Sequence, residues 1–189
     1  LVFTYDRKEP SFRKDLYAEY KANRTEMPED LAKQIPYIKK LADCLGIPAI
    51  EAPSFEADDI IGTLVNLGLK HHLEVVIVSG DKDFGQLIQK NVVLFDTMKN
   101  IKYDEAGVLE KWGVRPDQFI DYLSLVGDSS DNIPGVGGIG PKGAQKLLQQ
   151  FNSIEDLYAN IDKVESKSLR EKLERSRENA FLSKKLVTI

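Results

Sequence analysis

The order of apolar and polar positions divides the chain into two parts. Up to Tyr103, short apolar runs typical of β-strands alternate with amphipathic helices, and beyond Tyr103 only helical spacing is found. The most apolar run, 73–79, is nearly continuous, which is typical of a central parallel strand covered on both faces. The predicted strands are 1–5, 47–51, 73–79, 91–95 and 101–103.

The helical spacing predicts helices in both parts. Pro36, inside the second helix, predicts a kink or a split, and Gly46 predicts the end of that helix. The predicted helices are 11–24, 31–45, 56–69, 105–112, 116–125, 142–151, 153–159 and 166–186, the last with a break. We therefore expect an α/β fold with a mostly parallel central sheet and flanking helices, followed by a helical region packed at one end.

The composition narrows the class of protein. With 42% hydrophobic and 30% charged residues, and no apolar run of membrane-spanning length, the chain resembles a globular domain and not a disordered or membrane-spanning one. Cys44 is the single cysteine, so no disulfide forms within the chain and a reducing compartment is favoured. The net charge of −4 leaves nucleic-acid binding open, because the acids are clustered and many bases gather elsewhere.

Acidic residues cluster at predicted strand ends and helix starts, where ligand sites of open α/β sheets lie. Acids that open a helix can simply complement its dipole, but three acids within 56–59 exceed what capping requires. Hard divalent cations that take oxygen ligands, Mg²⁺ or Mn²⁺, account for such groups directly. The candidate metal ligands are Asp6, Glu56, Asp58, Asp59, Asp81, Asp83, Asp128 and Asp131. Two ions held there could activate water and stabilise the leaving oxygen of a phosphodiester.

A glycine-rich run follows the last acidic pair. Its glycines permit the close backbone approach that a hairpin between two short helices needs, and such a helix-hairpin-helix element offers backbone N–H groups to phosphates. Two lysines one turn apart on the following helix face the same way, so the predicted contact is with a nucleic-acid backbone and is independent of base sequence. The residues predicted to bind DNA here are Gly135, Gly137, Gly138, Gly140, Lys142 and Lys146.

A second candidate DNA-binding segment lies within the first predicted helix. Tyr17, Tyr20, Lys21 and Arg24 place rings and cations on one helical segment. Aromatic stacking combined with cations is a common way to hold single-stranded nucleic acid. The alternative is that these residues form an ordinary polar helix face without a function.

Five segments together resemble the 5′ nuclease (5′-to-3′ exonuclease) domain of bacterial DNA polymerase I, within the flap endonuclease family. They are 10–13, 20–24, 56–59, 80–83 and 127–136. The resemblance implies a nuclease core at 1–103 with a helical arch near 11–25, and a helical region at 104–189 whose hairpin, 127–150, grips duplex DNA, often with a bound K⁺ ion. It also implies a strand ahead of Leu1 that ends in a further metal-binding Asp and that the printed sequence does not include.

The resemblance also implies residue roles. The eight acids line a divalent-metal site that holds two or more ions, and Arg13, Tyr20, Lys21 and Arg24 belong to the segment that contacts DNA. The residues closest to the reaction are Lys21, Arg24, Asp81 and Asp83.

The expected function is therefore a structure-selective 5′ nuclease of DNA replication and repair. It would act on DNA with a 5′ flap, a nick or a free 5′ end, as a monomer in the bacterial cytoplasm, without a membrane partner and with a linked polymerase domain as a further possible partner. Two alternatives stay open from the residues alone. One is a DNA-binding fragment that does not cut, and the other is a metal-dependent phosphatase for small phosphoesters.

Overall fold

The computed structural model describes all 189 residues and contains two small sheets. In the first sheet, β1 (Phe3–Thr4) pairs in parallel with β2 (Ala49–Ile50). In the second sheet, β3 (Val75–Val78) pairs in parallel with β4 (Val92–Asp96), and β5 (Ile101–Tyr103) pairs antiparallel with β4. The predicted strands are all present, and two of the three pairings are parallel.

The prediction of one central sheet is wrong, because these strands form two sheets. The prediction that the run 73–79 lies between covered faces is also wrong. Strand β3 is the edge of its sheet, and only one of its two faces is covered. Ile77 is buried, whereas Val76 and Val78 are 53% and 56% exposed. A continuous apolar run therefore did not distinguish a central strand from an edge strand.

Four helices accompany the strands of the first part. They are α1 (Phe12–Leu16), α2 (Glu29–Ala32), α3 (Ile35–Cys44) and α4 (Ala57–Lys70). The split expected near Pro36 is present, with this proline in the first turn of α3, and Gly46 has a φ of +66° just beyond the end of that helix. Helix α4 packs against both β1 and β3, so its start lies near the ends of strands from both sheets.

The first helix is shorter than the predicted 11–24. It ends at Leu16, where Tyr17 adopts an extended conformation, and the chain continues through turns. Within these turns Lys21 has a φ of +54°, a left-handed value that a continuous helix cannot contain. The segment predicted as a helical arch is therefore one short helix followed by residues 17–24, which we call the basic segment.

The second part is helical, as predicted, with a 3₁₀ turn before α6. Its helices are α5 (Glu105–Trp112), α6 (Phe119–Val126), α7 (Pro141–Gln150), α8 (Ile154–Ala159), α9 (Lys167–Arg175) and α10 (Arg177–Val187). Ser153 and Ser166 accept hydrogen bonds from backbone N–H groups in the first turns of α8 and α9, which fixes where these helices begin. The predicted break in the last helix lies at Ser176.

One hydrophobic core joins the two parts. It contains 30 buried apolar residues, and α6 lies at its centre between α7 and α10, with Phe119 and Leu125 completely buried. Because Ile77 and Leu94 from the second sheet belong to the same core, the sheet and the helical region are held together by shared apolar burial. None of the ten helices combines the length and apolar character that crossing a membrane requires.

Candidate metal centre and nucleic-acid interface

The start of α4 carries three of the predicted metal ligands, and they have different surroundings. Glu56 is the N-cap residue, and its backbone N–H donates to Asp59 Oδ2 at 2.9 Å. Asp6, which follows β1, accepts a hydrogen bond from the backbone N–H of Ala57 at 2.7 Å. The end of β1 is thereby fixed to the start of α4, which brings Asp6 next to the acids of this helix.

Asp59 is held by a buried arginine. The Arg13 guanidinium donates to Asp59 Oδ2 at 2.8 Å and to Oδ1 at 2.7 Å, and it also donates to the carbonyl oxygens of Leu186 and Thr188, both at 2.7 Å. This bidentate pair connects α1, α4 and the end of α10. Both oxygens of Asp59 are therefore already engaged.

Asp58 lies in the sequence between Glu56 and Asp59, and its side chain is near other carboxylates. Its burial raises the pKa to about 7, and the nearby charges of Asp81 and Asp6 add to this effect. A side chain with this pKa is held in a place that disfavours its own negative charge. The surroundings of Asp58 thus favour a positive ligand.

Asp81 and Asp83 lie just beyond the end of β3. Asp81 caps the following 3₁₀ turn by accepting the backbone N–H of Asp83 at 2.9 Å. Burial raises the pKa of Asp83 to about 6, with Asp81 and Asp128 adding repulsion. Lys82 Nζ lies 3.3 Å from Asp83 Oδ1 but outside hydrogen-bonding geometry, so this buried oxygen has no donor. Buried polar atoms without partners are rare in folded proteins.

Asp128 and Asp131 belong to a tight loop before the glycine-rich run. The backbones of Asp128 and Ile133 bond to each other in both directions, and Asp128 Oδ1 accepts the N–H of Ser130 at 2.7 Å. Although burial disfavours its charge, the hydrogen bond from Lys82 and those from the backbone lower the pKa of Asp128. Lys82 thereby joins Asp128 to Asp83.

The basic segment connects Glu56 to Asp131. Lys21 Nζ lies 2.7 Å from Glu56 Oε1 and 3.7 Å from Asp131 Oδ2, and Arg24 forms an ion pair with Asp131. The Tyr20 hydroxyl donates to Glu56 Oε2 at 2.9 Å, and burial raises the pKa of this tyrosine. The two cations predicted to lie closest to the reaction, Lys21 and Arg24, are therefore located among the carboxylates.

The same segment is bonded to the loop through its backbone. Lys21 N–H donates to the carbonyl of Asp131 at 2.9 Å, and the Asn23 amide donates to the carbonyl of Ser129 at 2.6 Å. In the opposite direction, the Asn132 amide donates to the carbonyl of Glu19 at 2.7 Å. These bonds fix the position of the basic segment relative to Asp128 and Asp131.

The structure thus brings seven of the eight predicted acids together and leaves one apart. Charge interactions and shared cations connect seven of them, whereas Asp59 is turned toward Arg13. No three His, Cys, Asp or Glu side chains are spaced to enclose a metal ion as they stand. The roles of these acids as metal ligands stay predictions. The seven connected acids, called here the acidic cluster, are Asp6, Glu56, Asp58, Asp81, Asp83, Asp128 and Asp131.

The raised pKa values give a testable pH dependence. Because the carboxyls of Asp58 and Asp83 bind protons more tightly in the folded state than in the unfolded chain, their contribution to stability is present at low pH and is lost as the pH rises through about 6 to 7. We expect the melting temperature in EDTA to fall between pH 5.5 and pH 8, and Asp58→Asn to reduce this fall. A melting temperature that rises over this range in the wild type would contradict the assignment.

The hairpin at 127–150 depends on two glycines that lie back to back. Gly127 and Gly135 have φ values of +74° and +59°, and a Cβ atom on Gly135 would lie 2.5 Å from the backbone nitrogen of Gly127. The N–H of Gly135 also donates to the buried Ser183 hydroxyl at 3.0 Å, which fixes the turn to α10. These two positions therefore require glycine for folding.

The other predicted glycines lie at the surface. Gly137, Gly138 and Gly140 are exposed, and at Gly137 and Gly140 no atom lies within 4 Å of the position a Cβ would take. Lys142 and Lys146, on the following helix, are exposed as well. We call residues 135–140 the glycine turn. Its outer side is open to a ligand that approaches the backbone closely.

Alanine substitutions separate these two kinds of glycine. Gly135→Ala combines a left-handed φ with a clash against backbone atoms that cannot move aside, so we expect a loss of roughly 3 kcal/mol of unfolding free energy. Gly137→Ala, the matched control, should change it by less than about 0.5 kcal/mol. Urea denaturation of both variants measures the difference. Equal urea midpoints for the two variants would show that the backbone around Gly135 can move to accommodate a Cβ atom.

Two family models match consecutive parts of this chain and together cover all of it. The model of the 5′-3′ exonuclease N-terminal resolvase-like domain matches residues 1–113, and that of the 5′-3′ exonuclease C-terminal SAM fold matches residues 114–189. The chain belongs to the 5′-3′ exonuclease family.

Individual relatives agree with this family. DNA polymerase I of Caldicellulosiruptor bescii is 49% identical over 195 residues, which cover 100% of this chain and 23% of that protein. The chain thus spans less than a quarter of the length of this relative. Among solved structures, bacteriophage T5 D15 protein co-crystallised with metal ions is similar with a TM-score of 0.86 and 27% identity, over 98% of this chain and 74% of that one. A T5 D15 flap endonuclease variant in a pseudo-enzyme–product complex with DNA and metal ions matches with a TM-score of 0.83 and 27% identity, over 98% and 72% of the two chains.

Three predicted DNA contacts of this 5′-3′ exonuclease family member are corrected by burial. Gly135 is buried and its N–H donates to Ser183, so it does not offer that N–H to DNA. The side chain of Arg13 is 2% exposed and fully used by Asp59 and two carbonyls, so it cannot reach DNA from this position. Tyr20 is 3% exposed and packs in the core, so its ring is not available for stacking. Residue type indicated a polar surface helix, but Arg13 points inward from α1 itself, and Tyr20 points inward from the turns that follow the early end of α1.

Three residues of the site were missed from the sequence. Lys82 was overlooked between two acids, although a lysine there signals a need for countercharge. Gly127 follows the last residue of α6, where a glycine commonly ends a helix. Ser183 gave no signal, because nothing in the sequence connects a serine on α10 with the glycine turn.

Proposed function

We propose that this chain is the nuclease part of a divalent-metal-dependent 5′ nuclease that hydrolyses DNA phosphodiesters at 5′ flaps and free 5′ ends. The observation that carries the proposal is the gathering of carboxylates from three distant segments, 56, 81–83 and 128–131, around Lys21 and Lys82, in a chain that its family covers from end to end. The relatives are bacterial DNA polymerases I, which supports a role in DNA replication and repair in the cytoplasm, beside a linked polymerase region.

The chemistry of the acidic cluster fits a hard divalent cation. Its donors are oxygens, Asp83 Oδ1 is buried without a hydrogen-bond donor, and burial together with neighbouring carboxylates raises the pKa values of Asp58 and Asp83. Mg²⁺ or Mn²⁺, two or more at once, would be held by the acidic cluster. When bound, such ions lower the pKa of water and neutralise charge that develops on phosphate oxygens. The metal-bound T5 structure supports this part of the proposal.

Lys21 and Arg24 would bind the phosphate that is cut. Both cations already lie within the acidic cluster, at Glu56 and Asp131. A phosphodiester that enters beside them offers oxygens to the same N–H donors, and the cations stabilise the negative charge of the transition state. Asp59 and Arg13 would act only by holding the start of α4 in place.

The glycine turn and the lysines that follow it would hold duplex DNA. The open backbone at Gly137 and Gly140 and the exposed ammonium groups of Lys142 and Lys146 bind phosphates without reading bases. The T5 complex with DNA supports DNA binding by a chain of this fold. The K⁺ ion predicted for the hairpin and the monomeric state stay predictions.

The proposal is tested with a labelled 5′-flap substrate. We expect cleavage at the base of the flap in Mn²⁺ or Mg²⁺, none in EDTA, and products that do not depend on base sequence. Binding of the flap without cleavage in either metal would favour the DNA-binding fragment that does not cut. Hydrolysis of a chromogenic phosphate ester without DNA cleavage would favour the phosphatase.

Metal binding should also be visible without activity. We expect Mg²⁺ or Mn²⁺ to raise the melting temperature, because a ligand at 100 times its Kd adds about 2.7 kcal/mol. In a domain of this size each kcal/mol corresponds to roughly 2–4 °C. The control is NaCl at equal ionic strength, and the shift should shrink in Asp83→Asn. No shift at millimolar metal would count against a cation site in the acidic cluster.

A further inference from the structure

The cations near the glycine turn differ from those in the acidic cluster in what they contact. Lys21, Arg24 and Lys82 each form an ion pair with a carboxylate. Lys142 and Lys146 are exposed and take part in none of the ion pairs of the structure. A lysine from another helix is likewise exposed without an ion pair, and its side chain also reaches the glycine turn.

That lysine is Lys172 of α9. Its Nζ lies 3.2 Å, and its Cε 3.7 Å, from the position that a Cβ atom would occupy on Gly138. The side chain therefore extends over the glycine turn, and the missing side chain of Gly138, which has a φ of +79°, leaves room for it. Lys172 is exposed and has no ion pair. The residues three and four positions away are Ser168, Leu169, Arg175 and Ser176, none of them acidic.

The cations of α9 fall into two groups. Lys167 has an acid, Glu171, 4.0 Å away, and Arg170 donates to the carbonyl oxygens of Asp162 and Val164, so each of these two has a partner within the chain. Arg175 is three residues from Lys172, on the same side of the helix, and is likewise exposed without an ion pair. The cations left free for an anionic ligand are thus those on the side of the glycine turn.

We propose that Lys172, with Arg175 beside it, is a second contact point for the phosphates of duplex DNA, so that the duplex is held by α9 as well as by the hairpin. This inference rests on the proposed function. An ammonium group contacts a phosphate as a point charge and carries no base preference. The ligand is a duplex, because neither the glycine turn nor α9 carries an aromatic ring on which an unpaired base could stack.

The test compares Lys172→Ala with Lys167→Ala, a lysine of the same helix that is already paired. Binding is measured by fluorescence anisotropy in EDTA, with a labelled flap duplex and with the same strand unpaired, over a series of salt concentrations. For Lys172→Ala we expect about fivefold weaker duplex binding and a salt slope smaller by about 1. Single-strand binding should not change, Lys172→Arg should keep the affinity, and Lys167→Ala should match the wild type.

The possible failures are distinguishable. If the wild type binds the duplex and Lys172→Ala behaves like Lys167→Ala, the inference about α9 is wrong and the proposed function is unaffected. Equal losses for duplex and single strand would also overturn it, because they would indicate a general charge effect. If the wild type does not bind duplex DNA, the DNA-binding part of the proposed function falls together with this inference. Equal melting temperatures of the two alanine variants exclude a folding defect.

Discussion

Asp83→Asn lowers the rate of flap cleavage about 1000-fold, if one ligand of a catalytic cation contributes roughly 4 kcal/mol of transition-state stabilisation. The amide keeps the size of the side chain but removes the charge of the one buried carboxylate oxygen that has no donor. Affinity for flap DNA in EDTA should stay within about threefold, since duplex binding comes from phosphate contacts elsewhere. Single-turnover cleavage and anisotropy on the same preparation measure both quantities.

The same variant distinguishes a loss of chemistry from a loss of folding. Because burial raises the pKa of Asp83, replacing its carboxyl by a neutral amide removes repulsion at pH 8, and we expect the melting temperature in EDTA to rise or stay unchanged. Asp30→Asn, at an exposed carboxylate on α2, is the matched control and should leave cleavage as it is. Equal losses of melting temperature, binding and cleavage in Asp83→Asn would argue against a role in the reaction.

Local signals were sufficient to predict most elements of this fold. Ser153, Ser166 and Pro36 act within one helical turn of where they stand, so the helices they begin or interrupt could be placed from the sequence. The division into two sheets depends on which strands pair, and pairing joins residues that are distant in the chain. The residues of β3 gave no sign of this division, because the exposed positions Val76 and Val78 are as apolar as the buried ones.

The acidic cluster was predictable for a different reason. Acids that recur at strand ends and at a helix start predicted a shared site. Asp58 and Asp81 do lie close enough to interact, although the strands before them belong to two sheets, because α4 packs against both sheets. The separate position of Asp59 could not be foreseen, because its partner Arg13 lies 46 residues away and is buried by the fold. Lys172 is a similar case, since its relation to Gly138 exists only once α9 has packed.

Arg13→Met should be the most destabilising single substitution among the charged residues of this site. The substitution removes the bidentate partner of the part-buried Asp59 carboxylate. It also leaves the carbonyls of Leu186 and Thr188 without the donor they have in the wild type. Breaking a buried pair from one side typically costs about 3–5 kcal/mol. Urea denaturation at pH 8 measures the loss.

A double-mutant cycle identifies the source of that loss. If the stranded charge is responsible, Arg13→Met combined with Asp59→Leu should be more stable than Arg13→Met alone, because two apolar groups replace a pair that needed both members. If instead the bonds to the end of α10 dominate, the second substitution will recover nothing. Arg13→Lys keeps the charge but loses the bidentate geometry, so we expect an intermediate stability. A fully stable Arg13→Met would show that the buried guanidinium is not what joins α1, α4 and α10.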